Sequence, residues 1–219
     1  MDIKTRQSQI DYWNKLYSDK DILYPLDDIP FMERILSACH DKRVLDLGCG
    51  NGVISSYLFN HEISIVASDY SEEALNALHS KHPQIDIVQF DMTKTFPFID
   101  NYFDVVIAEL SLHYFNNRTT RKILAEISRI LVPNGVLFAR VNSTSEDYPP
   151  LNAIEITKDC FLVDGIKRRY YSIDSFNSMF NRNWKILEIE EQKTLKYRTS
   201  KSVIFCYARN IKHTDGVPS

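Results

Sequence analysis

The stretch Val44-Leu45-Asp46-Leu47-Gly48-Cys49-Gly50-Asn51-Gly52 constrains this chain more than any other. A short apolar run with one acid ends in three glycines at alternate positions, and the amphipathic segment Val53 to Phe59 follows at once; the pattern reads as strand, tight turn, helix. Glycines in such a turn accept positive φ and let a ligand approach the main chain and the helix N-terminus. A nucleotide-like ligand is therefore expected here.

From Arg43 onward the chain alternates. Strands are predicted at 43–47, 63–68, 85–90, 103–108 and 135–141, and helices at 53–59, 72–81 and 119–131, while 91–102 reads as a loop. Alternation of this kind implies a parallel sheet with right-handed crossovers. The helix at 119–131 carries Ile123, Leu124, Ile127, Ile130 and Leu131 on one stripe, and Pro133-Asn134-Gly135 is expected to stop it. Upstream, Ile10, Trp13, Leu16 and Tyr17 predict a helix over 6–18; Phe31, Ile35, Leu36 and Cys39 suggest a second, after a turn bracketed by Pro25 and Pro30. Downstream, 142–171 interrupts the rhythm with Pro149-Pro150 and the basic-aromatic run Lys167 to Tyr171, and reads as a substrate lid over the sheet edge. Ser172 can cap a helix bearing Phe176, Met179 and Phe180, and 184–190 with 202–208 can pair as an antiparallel hairpin.

Ligands of open α/β sheets sit at the carboxyl ends of the strands. The residues just past the predicted strands form a coherent set: Gly48, Cys49 and Gly50, then Asp69, then Asp91 with Met92, then Glu109 with Leu110. An acid about 20 residues beyond the glycines is placed to accept hydrogen bonds from ribose hydroxyls. The glycine spacing is not Gly-x-Gly-x-x-Gly, since position 53 is valine, and no Gly-Lys-Ser/Thr occurs, so phosphate cradling is disfavoured. Tyr197 and Lys201, the one Tyr-x-x-x-Lys pair, lie between the last two predicted strands, where they support no dehydrogenase dyad.

At these residues the chain resembles the class I S-adenosylmethionine-dependent methyltransferases. Val44 to Gly52 is similar to their glycine motif, Ala67-Ser68-Asp69-Tyr70-Ser71 to their second motif, Phe90-Asp91-Met92 to their third, Phe103 to Ala108 to their fourth strand, and Ile130 to Leu137 to the region before the fifth. The resemblance covers about 40–141. It implies a Rossmann-like α/β fold: a seven-stranded, mostly parallel sheet with an antiparallel last strand and helices on both faces. The organisation expected is a helical brace over 1–40, the methyltransferase domain over 41–210 with its lid at about 142–171, and a tail over 211–219. It further implies that Asp46 and Gly48 hold the methionine end of S-adenosylmethionine, Asp69 the ribose hydroxyls, Asp91 with the Met92 backbone the adenine edge, and Glu109 with Leu110 the surroundings of the sulfonium, with Gly50 and Tyr70 as further cofactor-binding residues. Carboxylates and carbonyls suit a cationic sulfonium and ammonium.

The acceptor is less marked. No Asn/Asp-Pro-Pro-Tyr/Phe and no Pro-Cys occurs, which disfavours DNA bases. Leu110-Ser111-Leu112-His113-Tyr114 resembles a segment of small-molecule methyltransferases, and His113 is a candidate base, since histidine titrates near neutrality. Arg140, Arg169 and Tyr170 are candidates to face an acidic or polar acceptor, with Tyr12 and Trp13 closing the pocket opposite. His79 and His82 lack a third ligand, so no metal is expected.

A net charge of -3 gives no footprint for nucleic acid, and no stretch approaches a membrane span of about 20 apolar residues. The four cysteines show no Cys-x-x-Cys pair. A cytoplasmic monomer or homodimer acting on a small molecule is expected, with neither nucleic acid nor membrane as partner. A non-catalytic cofactor-binding subunit is the alternative of another class.

Overall fold

A computed structural model describes residues 3–18, 29–145, 148, 152–194 and 201–212. Pro25, Pro149-Pro150, Tyr197 and most of the expected tail lie outside them.

Strands β1 (Val44–Leu47), β2 (Ile65–Asp69), β3 (Asp86–Gln89), β4 (Phe103–Glu109) and β5 (Leu131–Asn142) run parallel, linked in part by helices α3 (Val53–Asn60), α4 (Glu72–Lys81) and α5 (Asn117–Ile130). Two later strands, β9 (Trp184–Thr194) and β10 (Lys201–Asn210), complete a seven-stranded sheet in the order β3-β2-β1-β4-β5-β10-β9. Strand β10 is antiparallel to both β5 and β9, as the expected hairpin and the resemblance imply. The order reverses between β1 and β4, which opens a crevice at their carboxyl ends.

The central strands are apolar on both faces because helices cover both. Leu45, Leu47, Val106, Ala108, Leu137, Ala139, Ile204 and Cys206 point to one core with Leu124 and Ile127 of α5; Val44, Val105, Ile107, Phe138 and Phe205 point to the other with Leu58 of α3, Leu78 of α4 and Ile35 of α2 (Ile29–Cys39). This period of two is what a doubly covered sheet requires. Asp46, alone in β1, breaks the apolar run and is 1% exposed.

One boundary is corrected and one segment gains detail. Pro133-Asn134-Gly135 does not separate helix from strand: α5 ends at Ile130 and β5 begins at Leu131. The pairing with β4 shifts between Phe103 and Val105, and Asn134 takes φ 66°, so the three residues form an irregularity inside a long strand, where a proline without an N–H is tolerated. The amide of Asn210 closes this junction by donating to the carbonyls of Ser128, Leu131 and Val132. The insertion, read as a lid over the sheet edge with no strands assigned, holds a three-stranded antiparallel sheet of β6 (Ile154–Thr157), β7 (Cys160–Val163) and β8 (Ile166–Arg169). Asp164 and Gly165, at φ 52° and 80°, make the two-residue turn between β7 and β8.

Ser172 caps α6 (Ile173–Asn177) in a capping box with Ser175; Phe176 is in that helix, and Met179 and Phe180 lie beyond its end. Helix α1 (Ile3–Ser18) docks on the β2–α4 junction, where the Tyr70 hydroxyl donates to the Gln9 carbonyl (3.1 Å) and the Ser71 hydroxyl to the Asn14 side chain (2.7 Å). Among the described residues, no helix is long and apolar enough to cross a membrane.

Candidate active site

A cavity of about 580 Å³ lies at the carboxyl ends of β1, β2 and β4. That is within the range of about 300–1,000 Å³ usual for small-ligand sites. Asp46, Gly48, Gly50, Asp69, Tyr70, Asp91, Met92, Glu109 and Leu110 all line it.

The glycine turn is made of left-handed residues: Gly48, Gly50 and Gly52 have φ of 76°, 55° and 76°. A Cβ at Gly48 would lie 2.6 Å from Ser111 Cβ, and one at Gly50 2.5 Å from the Tyr17 hydroxyl. Gly52 is different, because a Cβ there would strike Leu78 of α4, which makes it a packing glycine away from the cavity. The turn is held by the Ser68 carbonyl, which accepts from the N–H groups of Gly48 and Cys49 at 2.8 and 2.9 Å.

Asp46 accepts from the Ser55 hydroxyl of α3 at 2.7 Å. Asp69 accepts from the Gly50 N–H through Oδ2 (3.0 Å) and from the Ser71 N–H through Oδ1 (2.9 Å), which ties the end of β2 to the glycine turn. Burial pushes the Asp69 carboxyl above its ordinary value, and the backbone N–H bonds pull it back in part. Each of its oxygens keeps acceptor capacity for a ligand. Burial and the neighbouring Asp69 likewise raise Tyr70, and burial with Asp46 and Asp69 raises the Cys49 thiol. Asp91 is turned by Thr93, whose N–H and hydroxyl both donate to its Oδ1.

Glu109 and Arg140 face each other across β4 and β5, in register, and the guanidinium donates to both carboxylate oxygens at 2.7 Å. Arg140 is 3% exposed, stacks over Phe31 of α2 at 3.9 Å and does not line the cavity. Its sequence-based role toward an acceptor is thus corrected: the cation is consumed in neutralising Glu109. Beyond Glu109, Leu110 takes φ 52°, an unusual conformation for a bulky side chain, with its N–H on the Arg140 carbonyl.

The remaining candidates separate. Trp13 lines the cavity, stacks on Tyr17 and meets Tyr114 edge-on at 5.0 Å; Tyr12 packs on Trp13 and is not a lining residue. His113 is 2% exposed and lies beside the Tyr114 ring, and it is Tyr114 that lines the cavity. Arg169 is buried and donates to the Lys158 carbonyl and the Thr157 hydroxyl, while Tyr170 packs with Tyr148 and Phe161; neither lines the cavity. Sequence reading missed Ser111, Thr119, Lys122 and Ile156, all lining residues. The i, i+3, i+6 stripe of Asn116, Thr119 and Lys122 and the Asp164-Gly165 hairpin signal were available for part of this. Among the described residues, no group of three or more His, Cys, Asp or Glu could hold a metal ion.

Residues 45–139 match the family model described as a methyltransferase domain. The mouse mitochondrial arginine-hydroxylase NDUFAF5 is 36% identical over 94 residues, 42% of this chain but 26% of that protein, so the chain spans about a quarter of that relative's length. A methyltransferase structure from Methanosarcina mazei superposes with a TM-score of 0.71 at 16% identity, over 78% of this chain and 93% of that one. The 1,6-didemethyltoxoflavin-N1-methyltransferase of Burkholderia thailandensis, crystallised with bound 1,6-didemethyltoxoflavin and S-adenosylhomocysteine, superposes with a TM-score of 0.66 at 14% identity, over 97% of this chain and 92% of that one. With the sheet order, the glycine turn and the acids at the strand ends, the match shows a methyltransferase domain over residues 45–139, on the fold of S-adenosylmethionine-dependent methyltransferases.

Proposed function

We propose that this protein transfers a methyl group from S-adenosylmethionine to a small-molecule acceptor held in the same cavity. The observation that carries the reading is the junction of Gly50 and Asp69: a left-handed glycine whose N–H is bound by a buried carboxylate at the end of β2, both lining one cavity. When bound, S-adenosylmethionine supplies an electrophilic methyl group on a sulfonium. Asp69 would accept from the ribose hydroxyls, Asp46 and the Gly48–Gly50 backbone would hold the amino-acid end, and Asp91 with Met92 would flank the adenine. Glu109, neutralised by Arg140, contributes packing and hydrogen-bonding shape in place of net charge.

No histidine lines the cavity among the described residues, and the Tyr70 hydroxyl is pushed up by burial. The chain's contribution to rate is therefore alignment and exclusion of water. Trp13, Tyr17 and Ile10 of α1 supply the exclusion. Such a site works best on an acceptor atom that is already a competent nucleophile near neutrality, and the acceptor's proton, where it has one, leaves to solvent.

Calorimetric titration with S-adenosylhomocysteine tests the reading. The wild type is expected to bind, and Asp69→Ala to bind about tenfold or more weakly, roughly 1.4 kcal/mol. Affinity is also expected to fall as pH drops through the raised Asp69 pKa, a step displaced upward from the ordinary aspartate value of 3.8. The sign follows from the carboxylate being the acceptor, and Asp69→Asn should lack the step. For the ligand-free protein the sign is opposite: a raised carboxyl contributes stability below 3.8 that is lost as pH rises through its folded value. No binding by the wild type overturns the reading. A second reading, a retained cofactor site without methyl transfer, is favoured by the relative named as an arginine-hydroxylase; binding of S-adenosylhomocysteine with no methyl transfer to any thiol, acid, phenol or amine would select it.

A further inference from the structure

The cavity is polarised. Its acids, Asp46, Asp69, Asp91 and Glu109, all stand at or just past the ends of β1 to β4. Its cations come from elsewhere. Lys94 sits in the loop beside Asp91, whereas Lys122 projects from α5 and Lys167 from β8, two elements that carry no acidic lining residue.

Lys122 lies on one stripe of α5 with Asn116 and Thr119, and all three line the cavity. Lys167 lies on the inserted sheet, whose β8 packs against the single 3-10 turn Leu112–Tyr114 that follows Glu109 and Leu110. Both lysines thus belong to the part of the cavity beyond the strand ends. Neither makes a salt bridge among the described residues, and nor does Lys94, whereas the four lining acids are each engaged by the protein itself. Behind Lys167, two residues along the same strand, the buried Arg169 adds a further positive charge and fixes the Thr157 hydroxyl, and Thr157 is itself a lining residue. Apolar surface accompanies these charges: Ile156 lines the cavity yet is 44% exposed, with Phe115 as a second apolar lining residue. Two unpaired ammonium groups on a partly apolar wall form a recognition site for an anion with an apolar body.

We propose that the methyl acceptor is an organic anion, a carboxylate or phosphate on an apolar or aromatic body, whose charged group is held between Lys122 and Lys167. The proposal rests on the methyltransferase reading and names its substrate class. The anionic group anchors the molecule; the lone pair that attacks the methyl carbon belongs to a second heteroatom of the acceptor or to the anchored oxygen, and the carbon–sulfur electron pair leaves with the cofactor.

The test uses the protein saturated with S-adenosylhomocysteine, titrated calorimetrically with matched probes: 4-hydroxybenzoate against 4-hydroxybenzamide, thiosalicylate against its amide, and phenyl phosphate against phenol. The charged member of at least one pair is expected to bind about tenfold or more tightly than its neutral partner, and Lys122→Ala with Lys167→Ala to remove that preference. Lys81→Ala with Lys185→Ala, two exposed lysines on α4 and β9, supplies the same change in net charge and is expected to keep it. The carboxylate and phosphate arms distinguish the two anions. Neutral probes binding as tightly as charged ones, no probe binding, or a preference that survives the double substitution overturns the proposal. Failure of the wild type to bind S-adenosylhomocysteine, measured first, is instead the failure of the methyltransferase reading.

Discussion

The two ends of the cavity are built by different means. At the strand ends, the lining comes from backbone and from short acids, each held by a neighbour in the sheet, the glycine turn or the helix after it: Gly50 by Asp69, Asp46 by Ser55, Glu109 by Arg140. At the far side it comes from α1, α5 and the β6–β8 sheet, long side chains on elements outside the main sheet, with Trp13 of α1 meeting Tyr114 of the 3-10 turn. The first end is a fixed geometry set by local chain conformation. The second is an assembly, and its chemistry can change by substitution without disturbing the sheet. A fold that must keep one cofactor while accepting different partners is served by this division.

Breaking the strand-end construction should have the largest effect. Arg140→Ala leaves a buried carboxylate without its cation and is expected to cost about 3–5 kcal/mol, read as a fall in the urea midpoint. A loss under about 1 kcal/mol would mean that water or another group already serves Glu109, and the fixed-geometry description would fail. Next comes Gly50→Ala, which forces an alanine to φ 55° and drives its Cβ into the Tyr17 hydroxyl. Strain of about 1–2 kcal/mol is expected together with weakened S-adenosylhomocysteine binding. In a Tyr17→Ala background part of that binding should return if the collision, and not the dihedral alone, is responsible; an unchanged deficit would put the whole effect on the turn. The smallest effect lies outside both ends: Ser172→Ala removes one half of the capping box of α6 and should lower stability by about 1 kcal/mol, seen in the thermal midpoint, with cofactor affinity as in the wild type. A shift in that affinity would show that the two ends are less independent than their construction implies.

The same division decides how much could be read from sequence. Gly48, Gly50 and Asp69 announce themselves because a left-handed turn and a strand-end acid are local requirements, expressed within about 20 residues of one another. The short apolar runs of β4 and β5 are equally local, and their alternation with helical segments located the sheet. Arg140 shows the limit. Its place at a strand end suggested a ligand, whereas its partner is decided by register with β4, and register between strands separated by a helix is not written in either strand alone. His113 and Tyr114 show it at finer scale: their rings lie 4.3 Å apart on a single-turn helix, and the packing of Trp13 and β8 against that turn decides which one meets the cavity. The inserted sheet was hidden by its composition, since Ile154 and Ile156, with Glu155 between them, follow no pattern of burial; β6 is exposed along its whole length.

Strand β10 follows β9 in sequence but lies between β5 and β9 in space. On a ribosome, β1 to β5 can therefore align while β5 still presents a long unsatisfied edge, and β9 emerges with nowhere to dock. Both wait for Lys201 to Asn210, which slot into the gap like a zip closing from within, and the Asn210 amide then pins the α5–β5 junction. Nascent chains stalled before that segment carry a bare twelve-residue edge, the form in which this protein is most exposed to pairing with its own copies and to chaperone capture.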